Sequence, residues 1–133
     1  MAIDKTYELP FPLGVVYGAW VSSDTVVPPA SRMDIDPVVG GHYKLFVDTP
    51  DGVVSCIGKF ATVEPQHHLV YSWEWNNDGE VSEIDVRFAE TETGTRLRLQ
   101  HDGFKKAESE TNHDSGWDNY IKGLIELLVE KSS

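Results

Sequence analysis

From Arg32 to His101 apolar side chains fall on every second residue, segment after segment, and that period leaves few folds open. Met33 and Ile35 alternate with Arg32, Asp34 and Asp36; Tyr43, Leu45 and Val47 with His42, Lys44 and Phe46; Val54, Cys56, Gly58 and Phe60 with Ser55, Ile57 and Lys59. Leu69, Tyr71, Trp73 and Trp75 then alternate with Val70, Ser72 and Glu74; Ile84, Val86 and Phe88 with Glu83, Asp85 and Arg87; Leu97, Leu99 and His101 with Arg96, Arg98 and Gln100. Successive side chains on a strand point to opposite faces, so each segment reads as a strand with one dry and one wet side. Val39-Gly40-Gly41, Pro50-Asp51-Gly52, Glu64-Pro65-Gln66, Asn76 to Gly79 and Glu92-Thr93-Gly94 punctuate them with turn chemistry. Short alternating strands joined by hairpin turns predict an antiparallel meander. With a further short strand over Asp4 to Leu9, it holds about six to seven strands.

The dry face must be covered, and only two stretches have helical spacing. After Pro10-Phe11-Pro12, with Pro12 suited to the first helical position, Leu13, Val16, Tyr17 and Trp20 recur at that spacing through Val21. From Asn112 to Lys131, Trp117, Tyr120, Ile121, Leu124, Leu127 and Leu128 line one side, with Asp118, Asn119, Lys122, Glu126 and Glu130 on the other. Gly116 and Gly123 lie seven apart along an edge of that stripe. Each costs a helix interior up to about 1 kcal/mol against alanine, so the pair implies close backbone approach or room left for something else. Ser22 to Ser31 holds Pro28-Pro29 without helical spacing and reads as a loop. The expected class is α+β, a sheet laid against a long C-terminal helix.

At 133 residues the chain fits one domain, able to bury about two-thirds of its unfolded surface without disulfides or metal. Eleven basic against 22 acidic side chains give a formal charge of -11, which repels phosphate backbones and anionic lipid and argues against a nucleic-acid partner. The single cysteine, Cys56, excludes an internal disulfide and suits a reducing, cytoplasmic setting. The opening MAIDKTYELP lacks the apolar run of a signal peptide. No segment approaches the roughly eighteen apolar residues of a membrane span, so no membrane insertion is expected. Monomer and homodimer both fit the pattern.

Val39-Gly40-Gly41-His42-Tyr43, Gly58 followed by Glu64-Pro65, Leu69 with Trp73, Gly94-Thr95-Arg96-Leu97, His101-Asp102-Gly103 and Gly116-Trp117 recur in the order and spacing of one family. Over nearly its whole length the chain resembles the domain similar to the activator of the heat-shock protein 90 ATPase. That group falls within the START and birch-pollen-allergen-like superfamily, often abbreviated SRPBCC. Val16-Tyr17 in the first helix also fits. The resemblance implies a helix-grip fold: a curved antiparallel sheet wraps the C-terminal helix, often leaving a cavity between them. It implies binding of a sterol, lipid, polyketide or other apolar molecule, with stimulation of a chaperone ATPase as the alternative and a cyclase or hydrolase as a third. Relatives usually place a short second helix ending in tryptophan where this chain has Ser22 to Ser31, so the cavity mouth is expected to differ.

Inward parity gathers Met33, Ile35, Tyr43, Leu45, Cys56, Tyr71, Trp73, Trp75, His101, Trp117, Tyr120 and Leu124 as candidate ligand-binding residues. Such a set either fills a core or walls a pocket, since flat apolar surfaces with a few polar tips suit small-molecule sites. His101 can orient a polar ligand end or serve as a hydrogen-bonded rim residue. The hydroxyls of Tyr43 and Tyr71 are candidate donors. His67-His68 point apart on an extended chain, and neither they nor His113-Asp114 have metal-ligand spacing. Cys56 has no basic neighbour, no G-x-S-x-G surrounds a serine, and Glu74, Glu83 and Asp85 have wet parity. No metal, cofactor or catalytic residue is therefore expected.

Overall fold

The computed structural model describes residues 2–22, 30–75 and 79–132. Strand β1 (Ala2–Leu9) leads into helix α1 (Leu13–Trp20), followed by β2 (Ala30–Ile35), β3 (His42–Thr49), β4 (Gly52–Glu64), β5 (His68–Trp75), β6 (Ser82–Thr91), β7 (Gly94–Asp102) and helix α2 (Ala107–Ser132). The strands form one antiparallel sheet in the order β1-β7-β6-β5-β4-β3-β2. From β2 to β7 each strand pairs with the next in sequence, and β1 returns to lie beside β7. The sheet curves around α2 in a helix-grip arrangement.

Pairing stacks the inward residues in rows. Met33 lies opposite Leu45 and Ile35 opposite Tyr43; Tyr43 faces Gly58 and Leu45 faces Cys56; Cys56 faces Trp75 and Phe60 faces Tyr71. Tyr71 then faces Ile84 on β6, and Ile84 faces His101 on β7. The β2–β3 connection turns at Gly40, whose φ of +83° favours glycine. It closes onto β4, where Gly40 donates its N–H to the Phe60 carbonyl at 2.9 Å.

Several boundaries differ from the sequence expectation. β1 and β2 each begin two residues early, at Ala2 and Ala30, so the end of the expected Ser22 to Ser31 loop is strand. The rest of that loop, 23–29, and 76–78 of the Asn76 to Gly79 turn lie outside the described residues. Pro12 sits one position before the helix, in an extended conformation (ψ 149°), as the N-cap of α1. The largest difference is in α2, which begins at Ala107 and not near Asn112. Its first turn carries no apolar stripe to reveal it. Instead Glu108 and Glu110 favour the positive end of the helix. The Glu80 carboxylate accepts the N–H groups of Lys105 (2.7 Å) and Lys106 (3.2 Å); a hydrogen bond from the Ser109 side chain, first, and then these backbone bonds hold its pKa below the usual carboxylate range.

The helix is anchored to one edge of the sheet. Lys5 of β1 contacts Asp114 at 2.6 Å and Asp118 at 2.8 Å, and the Tyr7 hydroxyl donates to Asp118 at 2.8 Å. The α2 backbone makes its close approach to the sheet at β1. Under the anchored side Ile3, Leu9, Val16, Leu69, Ile84, Val86, Phe88, Leu97, Leu99, Ile121, Leu124 and Leu128 pack into a filled apolar core. Outside, exposed arginines bridge β7 to β1, Arg96 to Glu8 at 2.6 Å and Arg98 to Asp4 at 3.0 Å. No described helix is long and apolar enough to cross a membrane.

Candidate functional site

Where α2 stands away from the sheet, a cavity of about 640 Å³ opens between its first half and the inner faces of β2 to β5. Met33 and Ile35 of β2, Tyr43, Leu45 and Val47 of β3, Phe60 of β4, and Tyr71, Trp73 and Trp75 of β5 form the sheet wall. Trp117 and Tyr120 face them from α2, and Trp20 of α1 closes one end. Along α2, Asn112, Gly116 and Asn119 follow helical spacing and stay exposed, so one stripe of the helix makes a rim. A Cβ added at Gly116 would meet nothing within 4 Å, so this glycine borders open space.

The walls are held by ring against ring. Trp20 and Trp117 lie nearly parallel (6.0 Å, 6°), Trp73 and Trp75 edge to face (5.6 Å, 87°), and Tyr43 and Tyr71 likewise (5.3 Å, 86°). Offset and edge-to-face pairs are each worth about 0.5–1.5 kcal/mol beyond area burial, and flat rings span a gap that flexible aliphatic chains would collapse into. Tyr43 lies over Gly58, where a Cβ would collide with its ring, and its hydroxyl donates to the Ser72 carbonyl at 2.7 Å.

Each of the four indole N–H groups has an acceptor inside the protein. Trp73 and Trp75 both donate to His113 Nε2, at 3.1 and 3.0 Å, while His113 Nδ1–H donates to the Ser109 carbonyl at 2.7 Å. Trp20 donates to the Tyr71 hydroxyl at 3.2 Å. Trp117 donates to His101 Nδ1 at 3.0 Å; His101 Nε2–H meets Ser82 Oγ at 2.6 Å, and that hydroxyl reaches the Trp73 carbonyl at 3.3 Å. The indole donors set which ring nitrogen accepts, Nδ1 in His101 and Nε2 in His113. Burial, and secondarily the charge His113 would carry, push the His101 pKa down to about 3. Burial raises the pKa values of Tyr43, Tyr71 and Tyr120, keeping the three phenols protonated at neutral pH. Among the described residues no lysine or arginine lines the cavity, and Glu80, occupied at the start of α2, is its one carboxylate.

Nine of the twelve residues singled out by parity meet on the lining: Met33, Ile35, Tyr43, Leu45, Tyr71, Trp73, Trp75, Trp117 and Tyr120. Cys56, His101 and Leu124 lie elsewhere, fully buried behind the wall, with His101 acting through its bond to Trp117. The Tyr43 hydroxyl is already committed to Ser72. Trp20, Phe60 and His113 also line the cavity. Phe60 shares the inward parity of Cys56 and could have been included, and Trp20 belongs to the apolar stripe of α1. His113 carried no apolar signal at all; its role arises only from contact with two tryptophans on another element.

A family profile described as Activator of Hsp90 ATPase homolog 1-like protein matches residues 10–129. No match was found among curated proteins. Among solved structures, protein MLL2253 from Mesorhizobium loti superposes with a TM-score of 0.81 at 22% identity, covering 98% of each chain. PFC0360w from Plasmodium falciparum, described as an HSP90 activator, gives 0.80 at 24% identity over 96% of each chain. An NMR structure of an Aeromonas hydrophila protein described as AHSA1-like gives 0.81 at 20% identity, covering 99% of this chain and 94% of that one. Identities this low establish the shared fold.

Proposed function

Given that the chain belongs to the family of activator of Hsp90 ATPase homolog 1-like proteins, we propose that it binds a small hydrophobic or amphipathic molecule between its sheet and α2, without performing chemistry on it. The observation that carries this reading is the aromatic-walled cavity of about 640 Å³, a volume within the range of small-molecule sites. Inward residues of β2 and β3 support it: Met33, Ile35, Leu45 and Val47 remain half-exposed although they point at the helix. A molecule seated there would remove that apolar surface from water at about 25 cal/mol per Å². Against catalysis stands the chemistry in and behind the wall, where His113 and His101 each accept indole N–H groups.

The tryptophans provide the readout. Titration with a panel of sterols, fatty acids and polyphenols should give a saturable change in tryptophan fluorescence with at least one class. A flat response to the entire panel would refute the reading.

A second reading, stimulation of a chaperone ATPase, draws on the end-to-end likeness to the Plasmodium protein described as an HSP90 activator. It predicts faster ATP turnover by a purified heat-shock protein 90 in excess of this protein. Unchanged turnover would dispose of it.

A further inference from the structure

The hydrogen-bond accounting of the cavity narrows what can occupy it, and this step rests on the binding reading above. We propose that the ligand is an uncharged, flat molecule carrying an oxygen acceptor, such as a ketone, which accepts hydrogen bonds from the Tyr71 and Tyr120 hydroxyls. All four indole N–H groups are consumed within the protein, so the tryptophans offer a ligand only their apolar faces. Tyr71 receives the Trp20 N–H, and its own proton reaches no acceptor among the described residues. Tyr120 packs by its ring against Trp20 and Trp117, and its hydroxyl has no hydrogen-bond partner among the described residues. Both phenols stand on the lining beside Trp20, whose indole N–H goes to Tyr71 and whose ring packs against Tyr120.

No side-chain polar atom of the described residues is buried without a partner, so these hydroxyls meet the cavity space. A ligand that covers them without offering an acceptor leaves a polar group unpaired on burial, which costs more than its pairing gains. A carboxylate cannot serve as well. Among the described residues no cation stands on the lining, Glu80 contributes a negative charge there, and the chain carries a formal charge of -11. A buried carboxylate without a cationic partner pays a desolvation cost that two neutral O–H donors do not offset. The facing tryptophans and tyrosines favour a planar fused or conjugated ring system, which stacks on them, over a flexible acyl chain.

Three probes of one shape test this: 2-acetylnaphthalene, its oxygen-free isostere 2-isopropenylnaphthalene, and 2-naphthoate, each titrated calorimetrically at pH 7. The ketone should bind about five- to tenfold more tightly than the alkene, the worth of one neutral hydrogen bond, and the anion should bind at least tenfold more weakly than the ketone. Tyr120→Phe, which loses no hydrogen bond formed among the described residues and keeps the ring, should reduce the ketone-to-alkene ratio towards one. Equal affinity for ketone and alkene, or a ratio that Tyr120→Phe does not change, would overturn the acceptor inference and leave the cavity reading intact. Tighter binding of 2-naphthoate than of the ketone would also overturn it. No binding by any of the three, together with silence across the fluorescence panel, would remove the cavity reading itself.

Discussion

The two ends of the sheet solve the same problem in opposite ways. On β6 and β7 nearly every inward residue is fully buried, and Ile84, Val86, Leu97 and Leu99 close against Leu9, Val16 and Leu124 with no accessible surface to speak of. On β2 and β3 the inward residues Met33, Ile35, Leu45 and Val47 are only half-covered, and what faces them across a gap is a set of rings. Branched aliphatic side chains interdigitate to crystal-like density, whereas indoles and phenols braced edge to face keep a wall upright. α2 is tied to β1 by Lys5 and Tyr7 through Asp114 and Asp118, on the same turns that carry Gly116, Trp117 and Asn119 of the cavity lining. Its second half, with Ile121, Leu124 and Leu128, enters the filled core.

Truncation gives the largest contrast. Leu97→Ala, in the filled half, should cost about 2–5 kcal/mol of unfolding free energy. Leu45→Ala, whose side chain already borders space, should cost about 1 kcal/mol, since little new cavity is created. Urea denaturation of both variants checks this, and equal losses would mean that the two halves are packed alike.

A pH effect sits at the seam between the halves, where His101 links β6 and β7 to Trp117. Its folded pKa, near 3, lies below its ordinary value of 6.5. Between these values the unfolded chain binds the extra proton, so this group's contribution is complete above about pH 6.5 and is lost as pH falls towards 3. The slope is at most about 1.4 kcal/mol per pH unit. Urea midpoints taken from pH 7 to pH 4 should fall for the wild-type chain, and His101→Gln should flatten the part of the decline that this residue supplies. An unaltered slope in the variant would assign acid sensitivity elsewhere.

Much of this division was visible in the chain before folding was considered. The period of two from Arg32 to His101 marks the strands and their dry faces, and the stripe from Trp117 to Leu128 marks the core of α2. Parity, however, states which face a side chain takes and not its height along the sheet. Cys56 and Leu45 are opposite one another, yet only Leu45 borders the cavity. Leu124 continues the stripe one turn beyond Tyr120 and two beyond Trp117, inside the filled core. The residues that complete the site, Trp20 and His113, are set by long-range contacts with β5 and α2, which leave no local periodic trace. For the same reason the first turn of α2, fixed by Glu80 from before β6, was not legible.

Gly116→Leu sharpens the comparison from the open side. Replacing an exposed helical glycine beside empty space should raise stability by up to about 1 kcal/mol through helix propensity, while the new side chain occupies the cavity mouth and weakens ligand binding about tenfold or more. Thermal unfolding and titration of the same preparation test both parts; a loss of stability would show that the space is not there. Smallest of all, Arg96→Ala should shift stability by less than about 1 kcal/mol, because its partner Glu8 and the guanidinium are both in water. The difference should shrink further at high salt, as measured by urea midpoints in low and high sodium chloride.

Xenon needs no assumption about ligand identity, and a crystal of the protein equilibrated under xenon pressure examines the gap itself. Electron density for xenon among Gly116, Trp117, Tyr71 and Leu45, with none in the aliphatic half between β7 and Leu124, is the predicted result. Side chains collapsed onto one another there, with no xenon site beside Trp117, would contradict it.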